Sequence, residues 1–255
     1  MDVDCFLKIG MKHKICEDYI ITGKIGYSDD HYIILSDGCS MSKHTDVGAR
    51  LLVHEAKRAL CSEHGFCLST WENIIKAANY IAVALLGLPE ECMDATLISA
   101  YTRNEFIHVN VFGDGVVIAK HKDGSMTYYN IVYPSNAPYY LSYTLSNKRR
   151  VDYIKDFGKE KLVYKIGDGY NVCLDGAFDE HTSIIFRRDD IDTVMIASDG
   201  ILSFGKDLGE IANDFTKFAN STGEYLKRRV SKAIKTYAKD NINHYDDISI
   251  GSFCL

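Results

Sequence analysis

Tyr32-Ile-Ile-Leu-Ser-Asp37-Gly38 and Val194-Met-Ile-Ala-Ser-Asp199-Gly200 run apolar strands straight into Ser-Asp-Gly. In both, a carboxylate emerges as the strand ends. Asp-Gly is a common turn pair, which accounts for either copy alone; the same context twice points to a shared role.

The flanking chain supplies the rest of the architecture. Before the first copy, Cys5 to Ile9, Tyr19 to Ile25 and Tyr32 to Leu35 are short, Ile- and Tyr-rich strand runs separated by Gly, Ser and Asp. After it, a helix is predicted to start at the N-cap Asp46, with Val47, Leu51, Ala56 and Ala59 on one face. A second helix opens with the capping box Ser69-x-x-Glu72 and stops before Gly87 and Pro89. From Ala95 to about Phe186 the pattern is of strands, with Thr96 to Tyr101, Phe106 to Phe112, Val116 to His121 and Met126 to Val132 reading as a β-meander. Beyond the strand Thr193 to Ala197, one helix aligns Leu208, Ile211, Phe215 and Phe218. The next, behind the box Ser221-x-x-Glu224, aligns Leu226, Val230, Ala233 and Tyr237. Ile248 to Phe253 is the last strand. This order predicts an α+β fold: a four-layer α/β/β/α sandwich, two antiparallel sheets face to face flanked by helix pairs. Nothing linker-like or repeated divides residues 1–255, so one domain is expected.

With 46% hydrophobic and 25% charged residues and only 3 Pro, the composition suits a soluble globular chain. A net charge of −6 argues against general nucleic-acid binding, which needs many phosphate-neutralising Lys and Arg. The longest apolar run, Ile81 to Leu88, is short of a membrane span, and Met1-Asp-Val-Asp lacks the features of a signal peptide. A cytoplasmic location without membrane or nucleic-acid partners is therefore expected. The 8 cysteines show no C-x-x-C spacing and sit mostly in apolar stretches, as reduced core cysteines do.

Three more acidic segments stand at strand edges: Glu17-Asp18, Asp114 in Val-Phe-Gly-Asp-Gly, and Asp246-Asp247 before the final strand. If the edges converge, so many carboxylates cannot all stay ionised without cations. Oxygen ligands without paired His or Cys favour Mg²⁺ or Mn²⁺ over zinc. Two such ions suit hydrolysis of a phosphate ester by water.

The motifs, in their order, resemble the metal-dependent protein phosphatases of the protein phosphatase 2C (PPM) type, as a divergent, bacterial-like member. The matches are Glu17-Asp18, Ser36-Asp37-Gly38, Asp46-Val-Gly-Ala-Arg-Leu-Leu52, Asp94-Ala-Thr-Leu97, Phe112-Gly-Asp114, Ala197-Ser-Asp199-Gly200 and Asp246-Asp-Ile-Ser249, spread over essentially the whole chain. The resemblance implies that Asp37 bridges two Mg²⁺ or Mn²⁺ ions, that the Gly38 carbonyl binds one of them, and that Asp199 and Asp246 bind the other. Glu17 and Asp18 would act through metal-bound waters, and Asp114 matches an acid that helps hold a third ion in bacterial members.

Departures fall on the substrate side. Where the family usually has an Arg four residues before the Glu of its Glu-Asp pair, this chain has His13, flanked by Lys12 and Lys14. His13 and Lys12 can hold phosphate as point charges, without the bidentate fork. Cys39 replaces the His of many eukaryotic members and reads as a packing residue. Asp247 stands where Asn is usual. Pro134 to Asp190 is where a substrate-selecting flap would lie, and its Lys148-Arg149-Arg150 run reads as a solvated face. The implied activity is hydrolysis of phosphoserine and phosphothreonine in a protein substrate, with a cognate kinase as a further partner. The alternatives are an inactive pseudophosphatase acting as a binding module, and a hydrolase of small phosphate metabolites.

Overall fold

A computed structural model of the chain describes residues 1–62, 70–167 and 170–255, without the Tyr170 side chain. Ser69 of the expected capping box and Cys67 lie outside the described residues.

The first apolar run forms β3 (His31–Ser36). Its residues alternate between two cores, as the two-residue period of a strand requires. Tyr32 and Ile34 face the helices α1 (Thr45–Leu60) and α2 (Thr70–Asn79), while Ile33 and Leu35 face the opposite sheet. All four are buried, each contributing about 1.5–3 kcal/mol. β3 lies between β2 (Tyr19–Lys24) and β4 (Leu97–Arg103), and β5 (Phe106–Phe112) and β10 (Thr182–Arg187) complete a five-stranded antiparallel sheet.

The second apolar run forms β11 (Ile191–Ala197), central in a seven-stranded sheet. On one side are β12 (Ile248–Cys254) and β1 (Asp2–Lys8). On the other are β6 (Gly115–His121), β7 (Met126–Val132), β8 (Lys161–Gly167) and β9 (Tyr170–Gly176). Here Val194 and Ile196 face the first sheet, and Met195 and Ala197 face α4 (Leu208–Thr216) and α5 (Tyr225–Lys239). Three buried apolar clusters between four layers give the expected α/β/β/α arrangement.

Several local readings change. The four strands taken as one meander split between the sheets: β4 and β5 pair in one, β6 and β7 in the other. The crossing is Gly113-Asp114-Gly115, where Gly113 takes φ +89°, a conformation that side chains resist. Asp46 lies in the first turn of α1, and the N-cap is His44. The buried face of α1 is Thr45, Gly48, Ala49, Leu52, Val53, Ala56 and Leu60, rotated from the one read through Val47 and Leu51; Gly48 packs so closely that a Cβ there would overlap the Cys92 carbonyl oxygen. The Ser221–Glu224 box does not cap α5. Ser221 donates to Asp2 at 2.6 Å and Glu224 pairs with Lys227, while Asp4 on β1 accepts the N–H groups of Leu226 and Lys227 at 2.8 and 3.2 Å. Among the described cysteines, all free, only Cys92 is fully buried, and Cys61 and Cys173 are exposed.

In the segment after β7, Lys148 and Arg150 are exposed as expected, but Arg149 of the same run is half-buried. A short helical turn, Leu141–Leu145, leads into α3 (Asn147–Phe157), and β8 and β9 widen the seven-stranded sheet. Tyr139 meets Tyr143, Tyr153 and Phe178 edge-on in an aromatic cluster. Arg149 Nη2 donates to both carboxylate oxygens of the buried Asp94, and Arg150 pairs with Asp179. Burial of Asp94 requires a partner, and the basic run supplies it.

Candidate active site

Antiparallel pairing decides which strand ends meet. Tyr19 pairs with Ser36, so Asp18, just before β2, lies beside Asp37, just after β3. Ala197 pairs with Val116 and Ile250, so Asp199 beyond β11 meets Asp114 ahead of β6 and Asp246-Asp247 ahead of β12. Stacking of the sheets then sets the two groups face to face. Asp37, Asp114, Asp199 and Asp246 line one cavity of about 190 Å³ with the Gly38 backbone, Thr96 and His13.

The supports of these acids are local. The Asp37 N–H donates to Thr96 Oγ1 at 3.0 Å, and its carbonyl accepts the Thr96 N–H at 2.8 Å. Ser198 donates to Asp18 Oδ2 at 2.8 Å. Gly200 is packed so closely on the residue that precedes β12 that a Cβ there would overlap the Asp247 carbonyl oxygen, which fixes Asp199 against Asp246. The departure at Asp247 has a structural role. Buried, it accepts the N–H groups of Gly10 and Glu17 at 2.7 and 2.6 Å and clamps the loop after β1 to the start of β12. Glu17 sits beside the cavity and accepts from Thr45 Oγ1 at 3.0 Å. His13 lines the cavity but stands between Asp247 and Asp246, at 3.1 and 3.4 Å. Lys12 is exposed, its Nζ 4.8 Å from the Tyr245 ring centre, and does not line the cavity.

Crowding controls the charge. Burial and the neighbouring Asp18 and Asp199 hold the Asp37 carboxyl well above the usual range. Burial, with Asp199 and Asp246, does the same to Asp114. Asp199 is raised by burial and Asp246, against relief from Asp37. Asp18 is pushed up to about 7 by burial, although Ser198 stabilises its charge. Glu17 is raised by burial. For His13, burial favours the neutral ring, but Asp247, Asp246 and Glu17 outweigh it and raise its pKa.

Among the described residues, no three His, Cys, Asp or Glu side chains are already gathered as a cage for an ion. The acids stand in a row instead, Asp37 against both Asp18 and Asp199, and Asp199 near Asp246. The donor set nevertheless fits a hard divalent cation: every candidate ligand is oxygen, and Asp18 Oδ1 is buried with no hydrogen-bond partner.

A model of the protein phosphatase 2C family matches residues 11–239. The chain belongs to the protein phosphatase 2C family. No curated protein sequence matches it. Among solved structures, it is similar over its whole length to a bacterial serine phosphatase, at 14% identity, 98% coverage of that chain and TM-score 0.63. Comparable likenesses are Stp1, a serine/threonine phosphatase from Staphylococcus aureus (14% identity, 100% of this chain and 95% of that, TM-score 0.63), and the Mycobacterium tuberculosis serine/threonine phosphatase PstP/Ppp (14%, 99% and 97%, TM-score 0.58). At such identities the likeness is one of fold.

Within this protein phosphatase 2C fold, sequence reasoning missed the far wall of the cavity. Asn136, Pro138 and Tyr140 line it, from the segment read only as a flap. The Pro138-Tyr139-Tyr140 run in an otherwise polar stretch was the available signal. Cys39, read as packing, also lines the cavity, beside Tyr140, and Met41 stands at its mouth, 92% exposed. No helix among the described residues is long and apolar enough to cross a membrane.

Proposed function

We propose that this chain hydrolyses phosphoserine and phosphothreonine esters in protein substrates, using two Mg²⁺ or Mn²⁺ ions, with the counteracting kinase as its cellular partner. The convergence of Asp37, Asp114, Asp199 and Asp246 on one cavity carries this reading. Asp37, the Gly38 carbonyl, Asp199 and Asp246 would hold the two ions, and Asp114 a third. Such ions lower the pKa of water and offset charge on phosphoryl oxygens. The protein's own part is to fix these oxygens through Thr96, Ser198 and the Gly200 contact, and to give up the protons that crowding retains on Asp18 and Asp37. Asp18 and Glu17 form an outer acidic shell that orients water. His13, its pKa raised by its acidic neighbours against the effect of burial, offers phosphate a point charge when protonated, with Lys12 outside it.

The test is release of phosphate from p-nitrophenyl phosphate and from a phosphothreonine peptide with Mn²⁺ or Mg²⁺, abolished in Asp199→Ala. Absence of metal-dependent turnover by the wild type would sink the proposal. One observation favours a second reading, an inactive binding module: His13 is engaged by Asp246 and Asp247 rather than free for phosphate. Phosphopeptide binding without turnover under any metal would support that reading.

A further inference from the structure

Residues 217–239 carry Lys217, Lys227, Arg228, Arg229, Lys232, Lys235 and Lys239 against one acid, Glu224, in a chain of net charge −6. The fold gathers these charges. Arg228, Lys232, Lys235 and Lys239 recur at helical spacing and form an exposed stripe on α5. At its start, Lys217, Arg228, Arg229 and Lys232 surround a second cavity of about 170 Å³, with Phe218 and Tyr225 in its wall. Most of this charge is uncompensated. Lys227 is paired with Glu224 and Arg229 lies near Asp214, but none of Lys217, Arg228, Lys232, Lys235 and Lys239 joins an ion pair among the described residues. Arg228 is instead oriented by neutral acceptors, Asn220 Oδ1 at 3.0 Å and the Thr222 carbonyl at 2.8 Å, so it keeps its full charge for a ligand.

We propose that this cavity and stripe dock an acidic, phosphorylated polypeptide segment. The cavity admits one phosphate or carboxylate group, and the stripe extends ~17 Å along α5 toward Tyr237, which packs on Phe204 in the turn that begins at Asp199. The cavity itself lies at the far end of β1, ~20 Å from the Asp247 clamp, so an extended segment can occupy both regions at once. Two other polyanions fit less well. An anionic membrane needs an apolar helix face to insert, and that of α5 is spent on the core through Tyr225, Leu226, Val230, Ile234 and Tyr237. Single-stranded nucleic acid needs open stacking rings, whereas Tyr225 is buried and Phe218 meets it edge-on at 4.8 Å. The inference rests on the proposed function only in making the docked segment part of a substrate, since binding itself needs no turnover.

The experiment is fluorescence anisotropy of the full chain, in EDTA to stop hydrolysis, with a labelled peptide carrying phosphoserine flanked by Asp and Glu. Binding that weakens as salt rises is expected. The variant Lys217→Glu/Lys232→Glu/Lys235→Glu should weaken it by about tenfold or more while turnover of p-nitrophenyl phosphate stays unchanged. Because all three lysines are exposed, folding should survive, and circular dichroism checks it. Equal binding by the variant, equal binding of a neutral peptide, tighter binding of single-stranded DNA of matched charge, or capture by anionic vesicles without peptide binding would each overturn the proposal. Peptide binding by a wild type that never turns over would reject the phosphatase reading and leave the docking site standing. Turnover without peptide binding would do the reverse.

Discussion

Arg149 grips both carboxylate oxygens of Asp94, at 2.7 and 2.8 Å, from a helix outside the two sheets. Asp94 also accepts from Ser42 at 3.2 Å and Ser142 at 2.6 Å, and its carbonyl takes the Cys39 N–H at 2.8 Å. The loop after Asp37 and the far wall of the cavity are thereby fastened to one buried acid. Arg149 also lies over the Tyr143 ring at 4.6 Å.

Removing the guanidinium should leave Asp94 charged and buried with hydroxyl donors alone. Arg149→Met is expected to cost about 3 kcal/mol, near the low end for a broken buried pair because Arg149 is partly exposed. Arg149→Lys should recover part of the loss, since it keeps the charge but not the reach and planar geometry of the guanidinium. Urea denaturation of the three proteins reads the difference directly. A change within about 0.5 kcal/mol in Arg149→Met would show that the pair is structurally idle.

A second long-range cap makes a sharper comparison. Asp4 satisfies two N–H groups at the start of α5 from a neighbouring strand, while the local Ser221–Glu224 box is unused. Asp4→Ala should therefore lower stability by about 1 kcal/mol, and Glu224→Ala should change it by a few tenths. Equal losses in thermal melts would return the capping role to the local residues.

Much of this architecture could be read from patterns, and the exceptions have physical causes. The two Ser-Asp-Gly strands, the acids at strand edges and the four layers follow from short-range periodicity, which the chain obeys because both sheets bury both faces. Asp4, Arg149 and Tyr140 were illegible for the opposite reason. Each acts on residues 55 or more positions away or across a cavity, through contacts that only the assembled layers create. Asp247 shows the same limit. As a residue type it showed only a departure from the usual Asn, but the two backbone N–H groups it accepts make it a clamp. The crossing at Asp114 escaped because a Gly-Asp-Gly turn looks alike whether it joins neighbours in one sheet or passes between two.

The acid cluster predicts an unusual response to pH. Asp18, Asp37, Asp114 and Asp199 keep protons in the folded chain at pH values where the unfolded chain has released them. Their contribution to stability is full below about pH 4. It is lost as pH rises through the folded values, about 7 for Asp18. His13, also raised, acts in the same direction. In EDTA, urea midpoints should fall from about pH 5 to about pH 8, and Asp114→Asn should flatten the fall. With Mn²⁺ present, binding displaces those protons, so affinity should climb over the same interval and reverse the trend. A midpoint independent of pH in EDTA would mean that the carboxylates are not crowded as described.

Gly200 tests the geometry without touching a carboxylate. A methyl group there would overlap the Asp247 carbonyl oxygen, and Asp246 Cβ lies only 3.6 Å from the same position. Gly200→Ala must therefore push β12 away from the turn after Asp199, separating Asp199 from Asp246 while every candidate ligand remains. We expect Mn²⁺ affinity by calorimetry to fall about tenfold or more, as for loss of a supporting contact around ligands. The far end of β12, held by its register with β1, should stay intact. Hydrogen exchange distinguishes this from general unfolding: protection should drop at residues 199–204 and 246–248 and persist at Ser252 and Phe253. Retained affinity would place the Asp199–Asp246 spacing outside the metal site, and uniform loss of protection would assign Gly200 to folding alone.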